Sequence, residues 1–123
     1  MPSGSGSRAL RGICPKKMGE VPTLVIPCQS GRLDNASSAA GASYWGSLFP
    51  AVWSFCLAAR SRGLGTSWTT LHLRYEREAA DLLGIPYDSV SQGALLPVAY
   101  TVGTDFKPAA RVDLDSIVHI GGW

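Results

Sequence analysis

Few side chains in this sequence have the types and spacing needed for acid–base, nucleophilic or metal chemistry. His72 and His119 are far apart, and neither has a flanking pattern of metal ligands. The sequence contains no nucleophile elbow, phosphate-binding loop or zinc-protease motif. Glu76, Glu78 and Asp81 share one predicted helix, where contact with solvent is the simplest interpretation of a carboxylate. We therefore predict neither a metal site nor a catalytic side chain.

A glycine-rich turn after a long apolar segment is the feature best suited to binding a ligand. Residues 44–62 are predicted to form a helix, which is followed by Gly63-Leu-Gly-Thr66 and then by Ser67-Trp-Thr-Thr70. Glycine lets the backbone approach a ligand closely, and exposed amides there can face an electron-rich ring. Gly63 is equally explained as the left-handed residue that ends a helix. The turn alone therefore does not decide between the two interpretations.

The elements that must position this turn are those of one small domain. The chain has 123 residues, 46% of them hydrophobic, which excludes a disordered chain, and its net charge of +2 gives no general nucleic-acid footprint. The predicted elements, in order, are a buried strand at 21–27, a loop at 28–43, a helix at 44–62, a β-prone run at 65–71, a helix at 74–83 and a second buried strand at 94–102. This order predicts an α+β domain.

The helix at 44–62 is apolar on nearly all sides. Ser43 or Ser47 is expected to cap it, because Pro50 is tolerable only in or near a first turn. Leu48 and Val52 lie on one face, and Trp53 lies on another. In so small a domain this predicts either an interior position or a large interface with a partner.

The first 19 residues differ in composition from the rest. Residues 1–19 contain four basic residues and no acidic one in a Gly/Ser-rich context, which predicts a flexible or non-native head before a domain at 20–123. No signal peptide or membrane-spanning segment is recognisable. Cys14, Cys28 and Cys56 are odd in number and widely spaced, which favours reduced thiols and a cytoplasmic location.

Four segments taken together resemble a known family. In order they are residues 50–66, which end in Gly-Leu-Gly-Thr, residues 78–86, which end in Leu-Gly-Ile-Pro, residues 97–103, and Lys107-Pro-Ala-Ala-Arg111. Their order and spacing resemble the C-terminal part of the nitroreductase family, and actinobacterial-type members most of all. The resemblance covers residues 20–123 and implies FMN-dependent oxidation of NAD(P)H. It also implies a central sheet flanked by helices, with a long buried helix at the dimer interface.

The resemblance assigns roles to particular positions. Family members bind FMN at the interface of an intertwined homodimer, which here would form through residues 44–62. The backbone of one segment would lie against the isoalloxazine ring, and Arg111 would contact the FMN phosphate. The residues of that segment are Gly65, Thr66, Ser67, Trp68, Thr69, Thr70 and Leu71. Hydride would pass from NAD(P)H to the flavin and on to a small nitro- or quinone-like acceptor, with the protein supplying position and hydrogen bonds.

One departure from the family leaves a second interpretation open. An Arg-rich N-terminal segment, which contacts the FMN phosphate in the family, has no counterpart in residues 1–19. The alternative is therefore a truncated, non-catalytic protein that binds flavin or associates through residues 44–62. Neither interpretation includes a nucleic-acid or membrane partner.

Overall fold

The computed structural model describes residues 17–103 and 105–122. Apart from residues 17–19, the predicted head therefore lies outside the described residues. The strands are β1 (Thr23–Val25), β2 (Cys28–Ser30), β3 (Leu64–Thr66), β4 (Val90–Gln92) and β5 (Leu96–Tyr100). The α-helices are α1 (Ser38–Ser61) and α2 (Glu76–Leu83), and short 3-10 helices span Leu71–Tyr75 and Leu114–Ser116. No helix among these residues is long and apolar enough to cross a membrane.

The strands form two small antiparallel sheets, which confirms the α+β prediction. In the larger sheet β5 is central, between β1 and β3, and β2 pairs with β4 in the smaller sheet. The apolar sequence of β5 explains its central place, since Leu96 and Val98 are buried. Pro97 is tolerated there because its missing N–H faces β3 at the point where that ladder stops, as described below.

Two predictions about the N-terminal part were wrong. The strand predicted at 21–27 exists as β1, but it lies at a sheet edge with Leu24 exposed, so it is not a buried strand. The loop predicted at 28–43 contains β2 and the start of α1. The pairing of β2 with the distant β4 supplies its hydrogen bonds, which local composition does not reveal.

Helix α1 begins six residues before its predicted start. Ser37 caps it by accepting a hydrogen bond from the Ala40 amide at 3.3 Å, so Ser43 and Ser47 lie inside the helix. Pro50 is therefore an interior proline, which contradicts the first-turn expectation. The missing Pro50 N–H would have donated to the carbonyl of Gly46, so the helix continues through Pro50 without that hydrogen bond. The helix ends as predicted, with Gly63 left-handed at φ 77°.

Helix α1 buries only one narrow face within the chain. Val52 and Cys56 pack against Ala94 and Leu96 to form the hydrophobic core. The large apolar side chains that remain exposed on α1 are those of Trp53, Phe55 and Leu57. Among the residues that the structure describes, α1 is therefore not an interior helix, which was the first of the two predicted alternatives.

Helix α2 ends at its predicted residue but turns a different face inward. Gly84 stops it in a left-handed conformation at φ 70°, as expected. From their spacing in the sequence, Tyr75, Ala79, Leu82 and Leu83 are predicted to form its buried apolar face. That prediction is wrong, because Tyr75, Leu82 and Leu83 are exposed while Ala80 is fully buried. Polar contacts of Glu76, described below, fix the orientation of the helix instead of apolar packing.

Candidate functional site

Strand β3 begins the segment Gly65–Leu71 and lies directly after the turn that ends α1. A Cβ added at Gly65 would lie 2.5 Å from Thr101 Cγ2, so the close packing of this strand against the end of β5 requires glycine. Gly65 pairs with Ala99, and Thr66 pairs with Val98. Because β3 has β5 as its only neighbour among the described strands, its other edge is open.

The β3–β5 ladder is interrupted at Ser67 and Trp68. Thr69 resumes it in the same register, with Thr69 N–H donating to the Leu95 carbonyl at 3.1 Å and Leu95 N–H donating back at 2.8 Å. Ser67 would pair with Pro97 in this register, but proline has no N–H to donate. The Pro97 carbonyl can still accept a hydrogen bond, so proline removes one donor from this part of the ladder and not the whole pairing. The strand therefore has one ladder donor fewer in its middle than at its two ends.

The alternation of an antiparallel ladder decides which backbone groups face outward. Residues that exchange both hydrogen bonds alternate with residues that exchange none, and Thr69 exchanges both with Leu95. Counting back in the shared register, Thr66 and Trp68 direct their amides and carbonyls away from β5, toward the open edge. These are the groups that could hydrogen bond to a ligand.

Two clefts adjoin this segment. One, of about 370 Å³, lies between α1 and β3 and is mainly apolar, with Arg60 as its charged side chain. The other, of about 220 Å³, lies beside Thr66, Ser67 and Pro97. The first volume falls within the range of about 300–1,000 Å³ for ligand pockets. Trp68 packs edge-on against Phe49, with ring centroids 5.3 Å apart, which anchors the middle of the segment to α1.

The last two residues of the segment lead into a 3-10 helix. Leu71 N–H donates to Thr69 Oγ1 at 3.3 Å, and Leu73 N–H donates to the Thr70 carbonyl at 3.1 Å. Thr70 and Leu71 are exposed. Within residues 65–71, only Gly65 and Thr66 belong to a regular strand.

Arg111 lies elsewhere. It is exposed on the C-terminal segment, its Nη1 donates to the Ala109 carbonyl at 2.9 Å, and it lines neither of the two clefts beside β3. The structure thus brings seven of the eight predicted residues together and leaves Arg111 apart from them. Among the described residues no three His, Cys, Asp or Glu side chains lie close enough to hold a metal ion.

A partly buried ion pair, which the sequence did not predict, joins Arg32 to Glu76. Arg32 Nη1 and Nη2 contact the two carboxylate oxygens of Glu76 at 3.1 and 3.3 Å. Arg32 also donates to Tyr87 Oη at 3.0 Å and contacts Asp34 at 3.2 Å. Burial works to lower the pKa of Arg32, but the hydrogen bonds to Asp34 and Glu76 outweigh it and raise that pKa. The solvent-facing interpretation of Glu76 was wrong, and its partners, distant in sequence, gave no local signal.

Gln92 and His72 extend this polar cluster toward the segment. The Gln92 amide donates to Glu76 Oε1 and its side-chain Nε2 donates to the Glu76 carbonyl, each at 2.9 Å. Both ring nitrogens of His72 are buried. Burial lowers the pKa of His72, although the Gln92 side chain and Glu76 act in the opposite direction. Burial also raises the pKa of the nearby Cys28 thiol.

Comparison with known proteins gives one finding. Residues 7–103 match the nitroreductase family. No curated protein and no solved structure matches the chain significantly. The family match takes in most of the chain, including α1, the glycine turn, the open-edge segment and β5. On this evidence the chain belongs to the nitroreductase family.

Proposed function

We propose that this protein is an oxidoreductase that binds FMN and transfers hydride equivalents from NAD(P)H to a nitro- or quinone-like acceptor. Membership of the nitroreductase family supports an oxidoreductase function. The observation that carries the FMN proposal is the open edge of residues 65–71. An edge with outward backbone donors, beside an apolar cleft, suits a flat heteroaromatic ring that has several acceptor atoms.

In this proposal the chain's own residues bind and orient the cofactor. The Thr66 and Trp68 amides donate to acceptor atoms of the flavin ring system, and the apolar walls of the adjoining cleft exclude water. FMN itself supplies the redox chemistry when bound, since it accepts a hydride and passes electrons on. This chemistry requires no acid–base pair from the protein. Among the described residues, Arg60 is the only charged one that lines either cleft.

The phosphate is assigned to Arg111. A guanidinium offers several N–H donors in a planar array that matches phosphate oxygens. The Arg111 side chain uses one donor on the Ala109 carbonyl, 2.9 Å away, and is exposed. Binding of FMN would require Arg111 to approach the segment at 65–71, either in the same chain or from a second copy.

We further propose a homodimer formed through residues 44–62. Trp53 is 58% exposed and Leu57 is 55% exposed, and large apolar side chains on one helix are costly to leave in water. Trp53 and Leu57 also line the cleft beside β3, so a second chain packed on α1 would help to enclose that cleft. A cytoplasmic location, where NAD(P)H is available, completes the proposal.

A turnover assay tests this function. The purified protein is saturated with FMN, and oxidation of NADH and of NADPH is followed with and without a quinone or a nitroaromatic acceptor. The proposal predicts oxidation that depends on both protein and acceptor and exceeds the rate with free FMN. Flavin binding without turnover would instead support the alternative of a flavin-binding module. A protein that shows no flavin binding and no turnover would contradict the proposed function and would leave only association through residues 44–62.

A further inference from the structure

The end of the proposed flavin segment is joined to a histidine whose ring nitrogens are buried. His72 follows Leu71 directly and lies in the 3-10 helix Leu71–Tyr75. Both of its ring nitrogens are buried and lack a well-formed hydrogen bond among the described residues. A histidine held in this way next to a ligand-facing backbone requires an explanation, because a buried unsatisfied nitrogen costs stability.

The atom that can satisfy His72 belongs to Gln92. Gln92 is only 2% exposed, and its backbone N–H and one N–H of its side-chain amide are used on Glu76. Its Oε1 is buried and has no well-formed partner in the described chain, while its side chain interacts with His72. One hydrogen bond from the ring to Oε1 satisfies two buried atoms together. Glu76 holds Gln92 in place and is itself held by Arg32.

We propose that His72, in its neutral form, is a positioning residue that fixes the Thr69–Leu71 end of the segment by donating a ring N–H to Gln92 Oε1. The part of the inference that concerns FMN rests on the proposed function. His72 does not contact the cofactor in this account. It acts through the backbone that it adjoins, so a change at His72 alters how the segment meets the ring.

The charged groups around His72 favour this neutral form on balance. Burial of the ring opposes protonation, whereas Glu76 on α2 favours it. The Glu76 charge is largely compensated by Arg32, and Cys28 on the neighbouring β2, paired with Gln92, has a raised pKa and remains a neutral thiol. Protonating His72 therefore favours an arrangement in which the ring reaches water. That arrangement releases the end of the segment.

The pH dependence of FMN affinity is the sharpest test. Because the ordered arrangement lowers the pKa of His72 from 6.5, it binds fewer protons than the open one. The affinity for FMN is therefore at its maximum above about pH 6.5, and it falls as the pH is lowered below that value. His72→Gln keeps an N–H donor without a titrating group and should remove this loss. The FMN phosphate also titrates in this range. Dividing the dissociation constant of the wild type by that of His72→Gln at each pH removes this contribution, because it is the same for both proteins.

A second variant and a control separate positioning from packing. His72→Phe keeps the ring volume but has no donor, and it should weaken FMN binding about tenfold at pH 7.5, the scale of one buried hydrogen bond. His72→Gln should restore most of the loss. His119→Gln, which changes the other histidine, should behave like the wild type at every pH.

A flavin-free measurement keeps this inference separate from the proposed function. Trp68 lies within the segment, so 5-fluorotryptophan labelling gives a ¹⁹F signal, assigned by Trp68→Phe, that reports its position. The signal should shift or broaden in His72→Phe and in acid, and less so in His72→Gln. An unchanged Trp68 signal in His72→Phe, or the same pH profile in wild type and His72→Gln, would overturn the inference. If FMN does not bind at all, the proposed function fails while the ¹⁹F comparison still decides the role of His72.

Discussion

Gly65 shows at the scale of single residues why the segment is built as it is. A methyl group at this position would lie 2.5 Å from Thr101 Cγ2, closer than packed atoms approach. Gly65→Ala should therefore lower the free energy of unfolding by about 1–3 kcal/mol, the usual cost of overpacking. Urea denaturation checks this.

The matched control for Gly65 is a compensating change. Thr101→Ala removes the methyl group in the way, so the double variant Gly65→Ala/Thr101→Ala should recover part of the lost stability. Equal losses in the single and double variants would show that the glycine is needed for another reason.

Arg111 is the residue whose role depends most on the family resemblance. Arg111→Ala should weaken FMN binding by about tenfold or more, since it removes a charged partner of the phosphate. Arg62→Ala is a close control, because Arg62 is also exposed and also donates to a backbone carbonyl, that of Ala58, 3.4 Å away. Titrations with FMN measure the affinity of both variants and so compare the loss of a positive charge at two positions. Equal FMN affinities of the two variants would show that Arg111 does not bind the phosphate.

Glu76 acts at the scale of elements because it joins three of them. Its carboxylate contacts Arg32, which precedes α1, and accepts a hydrogen bond from Gln92 on β4, while its own residue begins α2. Glu76→Gln leaves the partly buried Arg32 charge with one charged partner fewer, so the free energy of unfolding should fall by about 1–3 kcal/mol. The same exchange at Glu78, an exposed first-turn residue of α2, should change stability by no more than a few tenths of a kcal/mol. Thermal and urea unfolding of the two variants make the comparison, and equal stabilities would contradict the account.

Local sequence was sufficient for some elements and not for others. The left-handed stops at Gly63 and Gly84, and the buried strand around Leu96, follow from residue type alone. Where α1 starts was not evident, because a small polar run such as 37–43 is compatible with loop and helix alike until Ser37 is seen to cap it. Strand β2 could not be predicted because it depends on pairing with β4, far along the chain.

Some features of the candidate site could be predicted from local sequence, and others could not. Gly65 could be anticipated because a turn glycine after an apolar helix is a local signal. The interruption of the β3–β5 ladder could not be anticipated. It depends on Pro97 lying opposite Ser67, and only the register of the sheet determines that pairing. The contacts of Arg32, Gln92 and Glu76 are also tertiary. A glutamate on a predicted helix is expected to contact solvent, whereas Glu76 forms a partly buried ion pair with Arg32.

At the scale of the whole molecule, the exposed apolar face of α1 predicts self-association. Leu57→Glu introduces a charge into residues 44–62 and should shift the protein from dimer toward monomer in sedimentation experiments, because an unpaired charge is costly inside an apolar interface. Leu82→Glu is the matched control, the same exchange at an 85% exposed position on α2. A wild-type protein that is monomeric at all concentrations would contradict the proposed interface.

Binding of flavin is the measurement that tests the central claim most directly. Purified protein is mixed with FMN or with riboflavin, desalted, and its visible absorption spectrum recorded. If the open edge at 65–71 holds the ring and Arg111 the phosphate, a flavin band should be retained with FMN. Titrations should give a weaker but measurable dissociation constant with riboflavin. A colourless protein after desalting, with no change in flavin fluorescence on titration of either compound, would contradict the account.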